Sequence, residues 1–514
     1  MNRLAAQLLL GAVDVLRPAA LRSYRLFTAA AAAPGRSLES LSPHAAMRSA
    51  LRARDWVPAY SEYLDSHGWR DEPRLPIGDR VRRLPITDKD SYVRAYPTAE
   101  RCVGGTIPLQ HTQIDESSGS SGVPYNWVRG KDELEDMHRE MAHFSRWIFG
   151  QPLITINSFS MGAWATGVNV GEALRQVGMV KSTGPDIDKI LGTLEFFGSG
   201  YRYLLTGYPP FLKHLVEAGL EHGFDWSAYQ VAAIVGGEAI SEEMRAFIEH
   251  HIRPVYSGYG ASDVAMGIAA ETPLTVWLRK RAHSDCGLRE NLLGDQQHLP
   301  MLFQYNPLDH YVETNDEGEL IFTVSRPLLS PRIRYNLHDL GGTIPFDSVC
   351  ALLRESGLEA EAGHRLHQWR WPLLYVAGRS DSTVSYMGAN LYPADVERAI
   401  FAEPSDHGRY GAFCLELATV GAGGEARPTV HVEDLLPERD AVNRRSGEDA
   451  LARRVISHLA EVNRDFRSAL AEDPSAAQLS VVLHDPGEGP FVQNSRRIKR
   501  AYVLRTDSPM KVEA

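Results

Sequence analysis

The chain has 514 residues, 43% hydrophobic and 23% charged, with a formal net charge of −11. That length exceeds what one hydrophobic core serves, so two or more domains are expected, and the composition is that of a soluble globular protein. The acidic balance excludes a nucleic-acid binder held by phosphate contacts.

Residues 1–100 read as helical and connecting, rich in Ala, Arg and Leu. Residues 8–13 are apolar, but Asp14 and Arg17 interrupt them, and the run is too short to span a bilayer. The alanines at 29–33 mimic a signal cleavage site, yet Arg22 and Arg25 stand before them, which argues against secretion. The expectation is an amphipathic helix docked on the main body, without stable membrane insertion; a peripheral membrane contact is the lesser reading. The segment Leu84-Pro85-Ile86-Thr87-Asp88-Lys89-Asp90 reads as a turn, with Thr87 or Asp88 capping a short helix.

From about residue 106 to 270, short apolar runs alternate with helical patterns. Residues 153–156 and 231–235 have strand character, and 131–147 and 241–251 read as helices. This alternation predicts α/β layers around a mostly parallel sheet. A strand over 319–324 follows the turn at 315–318. Two more strands, 373–376 and 383–386, flank Gly378-Arg379-Ser380-Asp381. That short polar link is the expected domain boundary. Beyond it come a helix (394–401), a strand (411–417), a helical stretch (449–471) and a strand (479–483). Cys102, Cys286, Cys350 and Cys414 form no CxxC pair, so neither a zinc knuckle nor a disulfide framework is indicated and a cytoplasmic setting is natural.

Residues 117–122, Ser117-Ser118-Gly119-Ser120-Ser121-Gly122, place four hydroxyls and two glycines in a row, with Pro124 just beyond. Glycine lets backbone N–H groups turn inward and hydroxyls add donors, a nest suited to phosphate oxygens. Three signatures follow in order: Gly236-Gly237-Glu238-Ala239, then Tyr259-Gly260-Ala261-Ser262-Asp263, then Tyr335-Asn336-Leu337-His338-Asp339 with Gly378-Arg379-Ser380-Asp381. This ordered set resembles the adenylate-forming superfamily of acyl-CoA synthetases, adenylation domains and luciferases. Leu84 to Lys89 with Tyr96-Pro97 resembles its phenylacetate–CoA ligase-like branch.

The resemblance runs from about residue 80 to 505. It implies a large N-terminal multi-sheet α/β domain and a smaller mobile C-terminal α+β domain, divided as a helical extension (1–80), a nucleotide- and acyl-binding domain (81–379) and a lid (380–514). It implies ATP and Mg²⁺, with CoA as a co-substrate. The chemistry would be activation of a carboxylic acid, aryl or aromatic-like, as an acyl-adenylate, then transfer to the CoA thiol. Transfer to an amine or other nitrogen nucleophile is the alternative, and a non-catalytic nucleotide-binding relative is a third.

By the same resemblance, Ser117 to Gly122 would hold the β- and γ-phosphates. Many members carry a lysine after the proline, where this chain has Tyr125. Gly236, Gly237 and Glu238 would wall the adenine slot, Tyr259 would stack on the base, and Gly260 would give the acyl group room. Ser262 would touch the α-phosphate and Asp263, in place of the family's glutamate, would bind Mg²⁺. Glu271 would supplement it or lie on the surface. Asp339 would accept both ribose hydroxyls, Arg379 would reach ribose or phosphate, and Asp381 would be the pivot. Gly388-Ala389-Asn390 would line the thiol's entry or simply form a hairpin turn. At the C-terminus, Asn494-Ser495-Arg496-Arg497-Ile498-Lys499-Arg500 matches the family's lysine stretch, with either Arg497 or Lys499 as the bridging cation and Lys499 slightly favoured. Phe159, Met161 and Trp164, after a strand end, would line the acyl pocket.

Overall fold

In the computed structural model the described residues are 3–117, 125–150, 152–162, 165–294, 299–379, 384–400, 402, 409–420, 425–436, 441–491 and 503–504. Strands β1 (Gln113–Ser117) and β2 (Tyr125–Arg129) form an antiparallel hairpin in register Ser117 to Tyr125. Eleven strands then build one sheet: β3 (Ile154–Asn157), β4 (Met179–Ser182), β5 (Arg202–Gly207), β6 (Gln230–Gly236), β7 (Val255–Ala261), β8 (Ala265–Ala270), β9 (Met301–Gln304), β10 (His310–Thr314), β11 (Glu319–Val324), β12 (Tyr335–Ile344) and β13 (Leu373–Arg379). Their spatial order is β10-β11-β12-β13-β9-β8-β7-β6-β5-β3-β4.

The sheet changes character at β7. From β4 through β3, β5 and β6 to β7 every pairing is parallel, with helices such as Pro209–Glu221 and Glu242–His251 as crossovers. From β7 to β10 every pairing is antiparallel. The expected mostly parallel sheet therefore holds only for the first half. Short connections, such as the Asn315–Gly318 turn between β10 and β11, can join only antiparallel neighbours. Strand β6 shows why the parallel half sits deep: Val231, Ala233 and Val235 are almost fully buried.

After Arg379 the large sheet ends and smaller ones begin. Strands β14 (Val384–Tyr386) and β15 (Ala389–Leu391) form a hairpin joined by Met387 and Gly388, both at positive φ (50° and 78°). Two residues in that conformation make the tight turn whose twist matches the flanking strands. A four-stranded sheet follows, ordered β18 (Ser480–His484), β17 (Glu425–Asp434), β16 (Tyr410–Val420) and β19 (Val503–Leu504). Strand β17 was not anticipated. The expected helical stretch 449–471 is two helices, Ala441–Val462 and Arg464–Glu472, divided where Asn463 accepts a capping bond from Phe466 N at 3.0 Å.

The first hundred residues are helical, as expected. Helix α1 (Arg3–Arg22) leads into α2 (Tyr24–Ala31) and α3 (Gly35–Trp56). Ala6 and Leu10 of α1 pack on Leu41 and Ala45 of α3. Arg17 is anchored by Glu140 at 2.6 Å, Asp136 at 3.4 Å and Asp309, and Asp14 meets Arg48 at 2.9 Å. The apolar run judged too short for a bilayer is thus part of a 20-residue helix that by length and composition alone could cross one. The charges that interrupt it in sequence are instead tied to the body.

Candidate active site

The site is organised by the end of β7. Tyr259, half-buried on that strand, donates its hydroxyl to Asp339 Oδ2 on β12, and its ring stacks on Phe303 with centroids 5.7 Å apart. Burial and the Asp339 charge hold the Tyr259 hydroxyl well above the ordinary phenol range, so it stays a donor. Asp339 pairs in register with Arg379 on β13, and Arg379 Nη1 lies 3.6 Å from Asp339 Oδ1. Tyr259, Asp339 and Arg379 are therefore brought together.

Immediately beyond β7, the carbonyl of Ser262 accepts from Arg129 Nη2. Arg129 closes β2, so this bond ties the β7 end to the hairpin whose loop is the Ser/Gly run. Ser117 ends β1; Ser118, Gly119, Ser120, Ser121 and Gly122 lie outside the described residues. Three guanidiniums back the hairpin. Arg129 bonds Asp115 at 3.2 Å and Glu133 at 3.0 Å, Arg332 lies 4.6 Å over the Trp127 ring, and Arg101 donates to the Tyr125 hydroxyl. Burial first, then the neighbouring charges of Arg129 and Arg101, pushes Arg332 down to about 10.

Asp263 Oδ2 accepts from the Tyr335 hydroxyl at 3.2 Å and faces Lys89 Nζ at 3.7 Å. Lys89 was read only as part of an N-terminal signature. Asp88, not Thr87, is the cap there, accepting from Asp90 N at 2.8 Å and Ser91 N at 2.6 Å. Thr87 instead donates to Ile333 O at 2.8 Å, which pins the segment beside β12 and sets Lys89 against Asp263. Among the described residues no three His, Cys, Asp or Glu side chains gather to hold a metal. A lone carboxylate fits magnesium only in the manner of nucleotide sites, where substrate phosphates supply other ligands. Glu271 is neither a surface residue nor a second ligand: fully buried, it accepts from Arg245 Nη2 and from Ser257 N, both at 2.7 Å.

Gly236 ends β6, and Gly237 follows at φ 83°. A methyl built on Gly237 would lie 2.8 Å from the Tyr208 ring, and one on Gly388 only 2.5 Å from the same ring. Tyr208 is thus wedged between the two glycines, and it meets Phe159 edge-on at 5.2 Å. Gly388 N donates to Glu238 Oε1 at 2.9 Å, which docks the β14–β15 turn on the large unit. Burial pushes the Glu238 carboxyl up to about 8, against the opposing pull of the Gly388 and Met387 N–H groups. Ser160 adds a second tie across the two units through Glu472. At Gly260 the space of the missing side chain is taken by the Met266 carbonyl, 2.1 Å from a built Cβ, where the β7–β8 register shifts. Phe159 is buried and Met161 half-buried; Trp164, Asp381, Arg497 and Lys499 lie outside the described residues.

No family model matches the chain. Among curated proteins it is 21% identical over 481 residues to the phenylacetate-coenzyme A ligase of Thermus thermophilus, covering 92% of this chain and 98% of that protein. It is 23% identical over 359 residues to the phenylacetate-coenzyme A ligase of Escherichia coli, covering 67% of this chain and 71% of that protein. Among solved structures it is similar to 2-hydroxyisobutyryl-CoA ligase in complex with 2-HIB-AMP and CoA in the thioesterification state. There the TM-score is 0.62 at 14% identity, over 92% of this chain and 90% of that one. The chain shares the fold of this acyl-CoA ligase and is similar in sequence to the phenylacetate-coenzyme A ligases.

Within this ligase-like frame, sequence reasoning missed the cations. Lys89, Arg101, Arg129 and Arg332 come from four separate segments, and no spacing links them. Only Lys89 had a signal, its place in the branch's N-terminal signature. Tyr208 was also missed, because a single tyrosine before Pro209-Pro210 looks like core.

Proposed function

We propose that this ligase activates a carboxylic acid with ATP and passes the acyl group to the thiol of CoA. One acid oxygen attacks the α-phosphorus, the bond to the bridging oxygen breaks, and pyrophosphate leaves with the electron pair. The thiolate then attacks the acyl carbon of the adenylate and AMP departs. The observation that carries this reading is the β7 end, which touches three parts at once. Its tyrosine meets the Asp339–Arg379 pair, its Ser262 carbonyl meets the phosphate-loop hairpin, and Asp263 meets Lys89.

Each contact has a chemical use. Asp339 offers carboxylate oxygens to a cis-diol while Tyr259 and Arg379 fix its orientation. The strands that bracket the Ser/Gly run are backed by Arg101, Arg129 and Arg332, guanidiniums that would add to the charge met by a triphosphate tail. Lys89 takes the part of the lysine that many members carry after the loop, where this chain has Tyr125. Asp263, with phosphate oxygens, would hold Mg²⁺, which supplies charge neutralisation to the leaving pyrophosphate. Asp381 serves as the pivot and Lys499 or Arg497 as the cation between carboxylate and α-phosphate.

The acid is aromatic on this reading, received by Phe159, Met161 and Trp164. The polar residues beside them are already committed: Asn157 donates to Gly167 O at 2.7 Å and Ser158 to Thr206 O at 2.5 Å. The docked β14–β15 turn is the arrangement for the second step. The test is ATP–pyrophosphate exchange with a panel of aryl and alkyl acids, followed by mass analysis after CoA is added. Acid-dependent exchange and an acyl-CoA product are expected. No exchange with any acid would refute the ligase, and adduct formation with amines instead of CoA would refute the acceptor.

A further inference from the structure

Helix α1 presents one face that none of the described residues covers. Leu4, Leu8, Leu9, Val15 and Leu16 expose 48–77% of their surface. At about 100° per residue they fall on one arc of about 140°, with only alanines between them. The opposite face is spent on the body: Ala6, Leu10 and Leu21 are buried, and Arg17 sits among Asp136, Glu140 and Asp309. The helix therefore lies along the protein with its apolar face outward, and the anchored Arg17 keeps it from leaving the body to cross a bilayer.

Charge selects the occupant. Residues 3–36 hold five arginines and a single acidic residue, Asp14, in a chain whose net charge is −11. Asp14 is neutralised by Arg48. Arg22 closes α1 beside the apolar arc, and Arg25 follows on α2; both are exposed. Exposed apolar side chains edged by arginines match the boundary between acyl chains and anionic headgroups. A second copy docked through the same face would meet these arginines with no free carboxylate, its own Asp14 being held by Arg48. We propose that α1 is an interfacial anchor that seats the enzyme on anionic lipid.

The test is co-sedimentation of the full chain with vesicles of equimolar phosphatidylcholine and phosphatidylglycerol, against phosphatidylcholine alone. Binding to the mixed vesicles is expected. It should weaken at least about tenfold in the double variant Leu8→Glu, Leu16→Glu, and in Arg22→Gln, Arg25→Gln, and fall with added salt. Adenylation activity in solution should be unchanged in both variants, which also shows that they fold. No vesicle binding, or binding that neither variant alters, overturns the proposal. So does light scattering that finds a dimer which the leucine variant dissociates, since a second copy would then cover this face.

Discussion

Asp339, the proposed ribose acceptor, is the residue whose loss should separate nucleotide binding from everything else in the site. It is 7% exposed, accepts the Tyr259 hydroxyl and faces Arg379 at 3.6 Å. A hydrogen bond to a charged group contributes about 1.5–3 kcal/mol. Removing the carboxylate by Asp339→Ala should therefore raise the apparent KM for ATP about 10- to 150-fold, at about tenfold per 1.4 kcal/mol. The same change strands the Tyr259 hydroxyl without its acceptor, at about 1–3 kcal/mol of stability. Asp339→Asn keeps an oxygen for Tyr259 but lacks the charge. It should fold better than the alanine variant and raise KM by a smaller factor. Tyr259→Phe should raise KM less than either, because it leaves the carboxylate in place. The assay is ATP–pyrophosphate exchange as a function of ATP, with circular dichroism confirming the fold. A folded Asp339→Ala protein whose KM for ATP is unchanged would refute the ribose assignment.

Lys89→Ala should lower kcat about 100-fold or more, the usual loss when a charge-stabilising donor is removed, with partial recovery in Lys89→Arg; an unchanged kcat would remove Lys89 from the phosphates. Gly388→Ala places a methyl 2.5 Å from the Tyr208 ring at φ 78°, so acyl transfer should fall at least about tenfold while pyrophosphate exchange persists. Equal loss of both steps would show that the turn does not serve transfer. A rigid change at the pivot, Asp381→Pro, should likewise spare adenylation and slow transfer, and stopped-flow measurement of the two half-reactions decides it. In the docked state burial holds Glu238 at about 8, above its ordinary 4.5 and against the pull of the Gly388 and Met387 N–H groups, so if undocking returns the carboxyl to solvent the docked state binds a proton that the undocked state releases. Docking is then favoured at low pH, weakens as pH rises through the interval between those values, and levels off above it. The transfer rate of the native protein relative to Glu238→Gln, a ratio that cancels thiol ionisation, should fall across that interval; a flat ratio would sink the linkage.

What the sequence carried and what it hid divide along a physical line. The Ser/Gly run, the two-glycine turn after β6 and the aspartate on β12 are local patterns, each demanded by its own backbone or donor set, and they stand in order along the chain. The cluster of cations is not local. Arg101, Arg129 and Arg332 are ordinary arginines until the hairpin folds over them, and nothing near Lys89 announces that Thr87 will bind Ile333 O and swing the lysine to Asp263. Glu271 misled for the same reason, since its partner Arg245 lies on another element and only the fold makes the pair. The parallel half of the sheet was legible because helices must alternate with its strands, whereas the antiparallel half needs only short turns and leaves a weaker trace.

The two glycines beside Tyr208 carry a structural cause that the sequence pattern did not show. Gly237 was read as a wall on which a flat base lies against backbone. In the structure its Cβ position is already claimed by the Tyr208 ring, and the same ring claims the Cβ position of Gly388 from the other side. A side chain at either glycine would collide with that ring: at Gly237 the ring itself has to move, whereas at Gly388 the β14–β15 turn can lift away and leave the ring in place, so the two turns are constrained by one shared neighbour. Glu238 then bonds Gly388 N across that ring. The proposed adenine wall and the proposed thiol entry are therefore coupled through a single aromatic side chain. Any substitution at Tyr208 should disturb both half-reactions together, where changes at Gly388 or Asp381 disturb only the second.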